Sequence, residues 1–295
     1  MRWNMVKKLK LVLRGAQLML SGKYADSAKD YDKASGDYDS FFSSTMGKYS
    51  IEVLRKMNIK EGMNILELAC GTGFLTVEMA RLLNGQGSIT TVDQSLGMLN
   101  IARQKLSPFT GIKLNMQQGD MMELLRGIPS DSVDIVVCGW AICYIKPVEF
   151  FKEVKRVLKP KGQVGIIETR IDSEELVMKA FEKVLEEEPS YLQRYIKLEL
   201  PANTQALQKW FAKGGLNPVE CWEGEEILAC NSGDDAVEWV QRSGAAAGYI
   251  DVIDRQREQD IIIQVREEID KIIKGGIKSK LSHTYVAGVA NKEAV

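Results

Sequence analysis

The sequence predicts an α/β protein built on a doubly wound, mainly parallel sheet. Three observations predict it. The apolar run Ile65-Leu66-Glu67-Leu68 passes through Ala69-Cys70-Gly71-Thr72-Gly73 into a helical pattern at Leu75, Val77, Met79, Ala80, Leu82 and Leu83. A β-branched run, Ser88-Ile89-Thr90-Thr91-Val92, ends at Asp93, twenty residues past Gly73. Strand-like and helix-like segments then keep alternating to Glu168, the pattern of repeated βαβ units.

Before the first strand, Met1–Gly22 mixes Arg2, Lys7, Lys8, Lys10 and Arg14 with Trp3, Met5, Val6, Leu9, Leu11, Val12, Leu13, Leu18, Met19 and Leu20. This predicts a basic amphipathic helix. It either packs on its own domain or a second subunit, as in a homodimer, or lies peripherally in a membrane interface. Arg14 interrupts the apolar stretch, so a secretory signal is not expected. Tyr24–Met46 carries Tyr24, Tyr31, Tyr38, Phe41 and Phe42 among Asp and Ser. Tyr31 and Tyr38 are seven apart and share one helical face.

Gly71 and Gly73 lack Cβ, so the chain can turn sharply after the first strand and a ligand can approach its backbone. Glu67 decides what kind of ligand. It repels a pyrophosphate and attracts a cationic amino group. A nicotinamide-binding loop also wants a third glycine three positions after the second, and position 76 is Thr. Asp93 stands where a doubly wound fold holds ribose hydroxyls. Met98, Leu99, Ala102 and Leu106 have helical spacing, and Leu114–Met121 reads as a short strand ending in Gly119-Asp120. The buried run Val133–Trp140 is the fourth strand. Phe150–Leu158 is an amphipathic helix closed by Lys159-Pro160-Lys161-Gly162, where Pro stops the helix and Gly suits its cap. Gln163–Glu168 is the next strand.

Beyond Arg170, helices are expected at Ser173–Leu185, Ser190–Leu200, Asn203–Lys213, Asp234–Ser243 and Asp251–Lys274. Strands are expected at Asn217–Ala229 and Leu281–Ala290.

The chain has 295 residues and a net charge of −1, which suits an intracellular enzyme and suggests no nucleic-acid partner. Five cysteines without a C-x-x-C argue against a disulfide framework, and a single histidine argues against a Cys/His metal site. No apolar run is long enough to span a membrane. A cytoplasmic location follows as the expectation, with the N-terminal helix as a peripheral membrane contact.

Glu67–Gly73, Val92-Asp93-Gln94-Ser95 with Met98-Leu99, Gly119-Asp120, Asp134-Ile135-Val136 and Glu153–Ile167 resemble class I S-adenosylmethionine (SAM)-dependent methyltransferases. The resemblance covers roughly residues 45–170 and leans toward the small-molecule group that includes the ubiquinone/menaquinone C-methyltransferases. It implies a Rossmann-like, seven-stranded sheet whose last strand pair is antiparallel. It also implies a helical cap at 1–48, a SAM-binding core at 49–170, a helical lid insertion at 171–203, and completion of the sheet with a further helical insertion at 204–295.

The resemblance further implies site residues. Glu67 would face the amino group of SAM. Ala69, Gly71 and Gly73 would carry the loop against its methionine and ribose parts. Asp93 would accept from the ribose hydroxyls, Gln94 beside it belongs to the cofactor-binding set, Met98 would pack beside the adenine, and Asp120 with Met121 would bind the adenine edge. Cys138 ends the fourth strand beside them. Tyr31, Trp140, Cys143, Tyr144 and Arg170 are the expected acceptor contacts. Tyr38, Tyr144, Glu168 and His283 are candidates for a proton-accepting role, and no metal is expected. The function implied is in-line methyl transfer to a small acceptor, quinone-like or otherwise lipid-soluble. A polar metabolite or arsenite is the alternative acceptor. A SAM-binding regulatory module without turnover is the alternative of another class. Aminopropyl transfer would want acceptor-site acids that are not evident.

Overall fold

A computed structural model of the chain describes residues 2–245, 249–275 and 280–293. Seven strands form one sheet in the order β3-β2-β1-β4-β5-β7-β6. They are β1 (Asn64–Leu68), β2 (Ser88–Asp93), β3 (Lys113–Gln118), β4 (Val133–Gly139), β5 (Leu158–Thr169), β6 (Asn217–Leu228) and β7 (Leu281–Asn291). β1 to β5 pair in parallel, and β7 runs antiparallel to β5 from Gln163↔Asn291 to Thr169↔Tyr285. This is the expected Rossmann-like α/β fold, with the late strand reversed. The chain winds outward from β1 through β2 to β3, then returns to place β4 on β1's other side. The sheet's switch point therefore lies between β1 and β4, where such folds bind ligands at the strand carboxyl ends.

The helices form where the sequence supplies periodicity and caps. They are α1 (Arg2–Leu20), α2 (Ser27–Tyr38), α3 (Ser44–Arg55), α4 (Phe74–Leu82), α5 (Leu96–Leu106), α6 (Met121–Gly127), α7 (Pro147–Val157), α8 (Glu175–Glu187), α9 (Thr204–Lys213), α10 (Gly233–Arg242), α11 (Tyr249–Val252) and α12 (Glu258–Lys274). Asp26, Ser95, Asp120, Asn203 and Ser232 each cap a helix by accepting a backbone N–H, satisfying donors that the first turn leaves unpaired. A wide π-helical turn, Asp39–Ser43, separates α2 from α3.

By contacts the chain divides into two compact units. One comprises Phe42–Asp172, Leu198–Glu225 and Thr284–Val295 and holds most of the sheet. Its core is apolar: Leu66, Leu68, Val136, Cys138, Phe150, Phe151, Val164 and Ile166 are buried between strands and helices. Gly165 lets α3 lie close to β5, since a Cβ there would meet Met57 Sδ at 2.4 Å and Val53 at 2.7 Å.

The other unit, Met1–Phe41, Ser173–Lys197 and Glu226–His283, is mainly helical. α1 lies on α8, tied by the Lys7–Glu187 pair and by Lys8–Glu186 at 3.3 Å. Arg255 joins Asp30 at 3.0 Å and Asp251 at 3.1 Å. The expected helix at Ser190–Leu200 does not form. A single 3-10 turn, Pro189–Tyr191, is followed by irregular chain. Its amides pair elsewhere: Gln193 and Arg194 donate to the Val252 carbonyl and Tyr195 to that of Lys23. The expected continuous helix at Asp251–Lys274 is broken between α11 and α12, where Leu192 and Ile253 form a bridge.

Candidate active site

Glu67, near the carboxyl end of β1, is only 2% exposed. Burial pushes its carboxyl up to about 8, with the nearby Asp93 charge adding to the rise and a hydrogen bond from Thr76 opposing it. That donor is the Thr76 hydroxyl, from the first turns of α4. Position 76, where a dinucleotide loop would use glycine for close packing, here satisfies a buried acid. The spacing excluded a dinucleotide loop; it did not show where the hydroxyl points.

The loop between β1 and α4 is held in the left-handed region at Ala69 (φ 59°), Gly71 (φ 54°) and Gly73 (φ 77°). The two glycines answer different needs. A Cβ on Gly73 would stand 2.9 Å from the Ala102 Cβ, so α5 crosses directly behind it. A Cβ on Gly71 would meet nothing within 4 Å, so there the backbone faces open space.

Asp93 binds this loop to the next one. Its Oδ2 accepts from the Gly71 N–H at 2.8 Å and its Oδ1 from the Ser95 N–H at 2.9 Å. Asp120 takes the parallel position after β3. Its Oδ1 accepts from the Met122 and Glu123 amides at 2.8 and 3.0 Å, and its Oδ2 from Gln94 Nε2 at 3.2 Å. Met98 and Met121 are buried, and Cys138 is fully buried at the end of β4, level with Leu68. Glu67, Ala69, Gly71, Gly73, Asp93, Gln94, Asp120 and Cys138 thus gather at the carboxyl ends of β1 to β4.

After β4, Trp140 has φ 61° and its backbone N–H donates to the Ile167 carbonyl. Its indole Nε1 donates to Ser50 Oγ at 2.9 Å, and its ring meets Phe42 and Tyr285 edge-on at 5.2 and 6.2 Å. Cys143 and Tyr144 follow in a 3-10 turn, Ile142–Tyr144. Glu168 is buried beneath it. Its Oε2 accepts from the Cys143 N–H at 2.9 Å and its Oε1 from the Thr169 N–H at 2.7 Å. Burial nevertheless pushes its carboxyl up to about 7. Arg170 is engaged by Asp172 at 2.7 Å and Glu223 at 2.8 Å. Burial raises the thiols of Cys70, Cys138 and Cys143, the direction opposite to an activated thiolate.

The remaining expected residues lie in the helical unit. Tyr31 and Tyr38 meet edge-on at 6.3 Å against Gly244, where a Cβ would come within 3.1 and 3.2 Å of the two rings. His283 is buried with Nδ1 2.9 Å from Glu174 Oε1. Among the described residues no group of three His, Cys, Asp or Glu side chains is placed to hold a metal ion.

The donor set fits SAM better than a phosphate-bearing cofactor. A buried acid stands at the first strand end, a second acid follows at the next, and the glycine backbone is open to an incoming ligand. Known proteins agree. Residues 59–244 match a family model described as a methyltransferase domain. A demethylmenaquinone methyltransferase of Listeria monocytogenes is 30% identical over 146 residues, 48% of this chain and 61% of that protein. The match therefore spans less than two thirds of the relative's length. Among solved structures, a candidate methyltransferase of Bacillus halodurans superposes with a TM-score of 0.54 at 16% identity, covering 83% of this chain and 98% of that one. A candidate sarcosine dimethylglycine methyltransferase of Galdieria sulphuraria gives 0.52 at 14% identity, over 85% and 86%. The match over most of the sheet unit, together with the strand-end acids and the glycine loop, places the chain in the methyltransferase-domain family of SAM-dependent enzymes.

Proposed function

We propose that the chain moves the methyl group of SAM to carbon or oxygen of a small, lipid-soluble acceptor of the quinol type. The likeness to a demethylmenaquinone methyltransferase supports the acceptor class. The observation that carries the reading is the apolar surface of α1: Met5, Leu9, Val12, Leu13 and Leu20 are 58–84% exposed on a helix whose Lys7 and Lys8 are anchored to α8. An acceptor dissolved in a bilayer is reached best by a protein that rests on it.

In this reading Glu67 takes the ammonium of SAM, and Gly71 lets the loop backbone reach its methionine part. Asp93, while tying down Gly71, shares its outer lone pairs with the ribose. Gln94, Met98, Asp120 and Met121 line the adenine side. The sulfonium supplies an already activated methyl. When bound, SAM would supply that carbon for in-line attack by the acceptor, with S-adenosylhomocysteine as the leaving group and the acceptor's proton passing to water. The protein contributes alignment and exclusion of water, and orientation of this kind is worth roughly 7–11 kcal/mol in favourable cases. Trp140, Cys143 and Tyr144 flank the acceptor. Glu168 acts as a positioning residue for that turn, because both its oxygens already accept backbone N–H groups. In this reading the Tyr144 hydroxyl, in the same turn, would relay the acceptor's proton to water.

The test is methyl-labelled SAM with a short-chain demethylated menaquinol in detergent, beside a water-soluble extract. Label entering the quinol supports the proposal. Label entering only polar metabolites moves the acceptor class, and SAM binding without labelled product from either pool would leave a regulatory module.

A further inference from the structure

Trp140 leaves β4 at the level where the glycine loop leaves β1. Cys138 pairs with Leu68, so Trp140 and Cys70 each stand two residues past that rung. Trp140 holds φ 61°, a left-handed conformation that a bulky residue adopts only at a cost. The surrounding structure holds it there. Its N–H donates to the Ile167 carbonyl at 2.7 Å, its ring meets Phe42 and Tyr285 edge-on, and its indole Nε1 donates to Ser50 Oγ at 2.9 Å. Backbone strain kept in place by so many contacts points to a side chain whose direction matters.

Ser50 belongs to α3 and is 3% exposed. A hydroxyl buried that deeply needs a partner, and the Trp140 indole supplies one. Gly47 lies three residues earlier, on the same face of the helix. A Cβ there would stand 2.4 Å from Phe74 Cζ, and Phe74 directly follows Gly73 of the cofactor loop. Tyr49, between them in sequence, packs on Tyr285 of β7 with ring centres 4.6 Å apart. The close approach of Val53 and Met57 to Gly165 fixes α3 on β5. One face of α3 therefore touches the residue after the cofactor loop through Gly47 and the residue after β4 through Ser50. All these residues belong to the sheet unit.

We propose that Ser50 is a positioning residue for methyl transfer: by holding the Trp140 indole, it sets the acceptor-side wall at a fixed distance from the cofactor loop. The proposal rests on the reading of Trp140 as a residue that flanks the acceptor. It assigns Ser50 no contact with SAM, so its effect belongs to the rate of transfer and not to cofactor affinity.

The test uses the full chain with 15N-labelled tryptophan, SAM, and the short-chain demethylated menaquinol or, if only that pool takes label, the water-soluble extract. The Trp140 indole N–H is assigned by its loss in Trp140→Phe. In the parent protein SAM should shift it saturably. In Ser50→Ala the free resonance should move and its response to SAM should shrink, while the other indole signals stay dispersed and so report an intact fold. The variant's kcat should fall about tenfold or more, because misplacement by a fraction of an ångström is enough to lose that much. Its affinity for SAM should stay within about twofold of the parent's. Trp140→Phe keeps a ring but has no indole donor. Adding Ser50→Ala to it should change kcat less than about twofold, since the pair acts as one unit. An unchanged kcat in Ser50→Ala, a loss of equal size in the Trp140→Phe background, or a Trp140 resonance indifferent to SAM in the parent would overturn the proposal. If the parent labels neither pool, the acceptor reading falls and the resonance alone decides. A SAM response that depends on Ser50 then supports its hold on the wall, and no response overturns it.

Discussion

Glu67 shows how one buried side chain can link the cofactor, the fold and the pH. Its carboxyl ionises near 8 in the folded chain against an ordinary value of 4.5. Between those values the folded protein holds a proton that the unfolded chain has released. Stability should therefore fall as pH rises through this window, the Glu67 contribution being whole below 4.5 and spent above 8. Glu168, raised to about 7, adds to the decline over the lower part of the window. In Glu67→Gln the urea midpoint of the SAM-free protein should fall less steeply between about pH 5 and 8. An identical slope in both proteins would contradict the assignment. Cofactor binding runs the other way. An ammonium beside Glu67 favours the ionised acid, so SAM should bind more tightly as pH rises toward 8, by up to about tenfold per unit, with release of a proton. Calorimetry in buffers of different ionisation heats measures that proton directly. Its persistence in Glu67→Gln would mean that another group meets the ammonium.

Among elements, the β1–α4 loop separates two glycines that look alike in sequence. Gly73→Ala must place a methyl 2.9 Å from Ala102 as well as keep φ 77°. Gly71→Ala keeps φ 54° but meets no neighbour. Gly73→Ala should therefore cost about 2–4 kcal/mol of stability, and Gly71→Ala about 1–2 kcal/mol. Paired thermal melts would show it, and equal losses would refute the assigned roles. The Gly-x-Gly spacing made the turn legible; the tertiary approach of α5 was not in it. The same holds across the site. Asp93 was readable as a strand-end acid, because strand length and position are local properties. Its grip on the Gly71 amide was not, because that depends on two loops meeting. Asp120 was readable as a strand-end acid, but its helix-capping role was not, because that depends on the Met122 and Glu123 amides turning toward its Oδ1. The false helix at Ser190–Leu200 has the same origin. Its composition permits a helix, but Lys23 and Val252, distant in sequence, offer its amides better partners.

For the whole molecule, the sheet was legible because strand runs and helix periods alternate in order along residues 65–168. In the helical unit α1, α8, α10 and most of α12 were legible one by one, but their assembly was not, because it joins three separated stretches whose contacts have no period. That unit carries α1, and its surface yields a prediction about where the protein resides. No described helix is long and apolar enough to cross a membrane. α1 nevertheless shows Leu9, Val12, Leu13 and Leu20 to solvent at 58, 66, 60 and 84%. Lys7 and Lys8 pair with Glu187 and Glu186 of α8, so part of the helix's basic charge is already neutralised within the unit. Attachment to a bilayer should then draw mainly on apolar area and only weakly on charge. Sedimentation with vesicles should recover the protein with little loss when salt is raised, in contrast to a polybasic anchor. Leu9→Ser with Leu13→Ser removes two exposed side chains of that face. Burying them halfway is worth about 2 kcal/mol, so the double variant should partition roughly thirtyfold less while binding SAM as before. Binding that collapses with salt but ignores these two leucines would make lipid charge the attraction. No binding to vesicles of any composition would leave the apolar face of α1 to a protein surface, such as the same helix of a second copy.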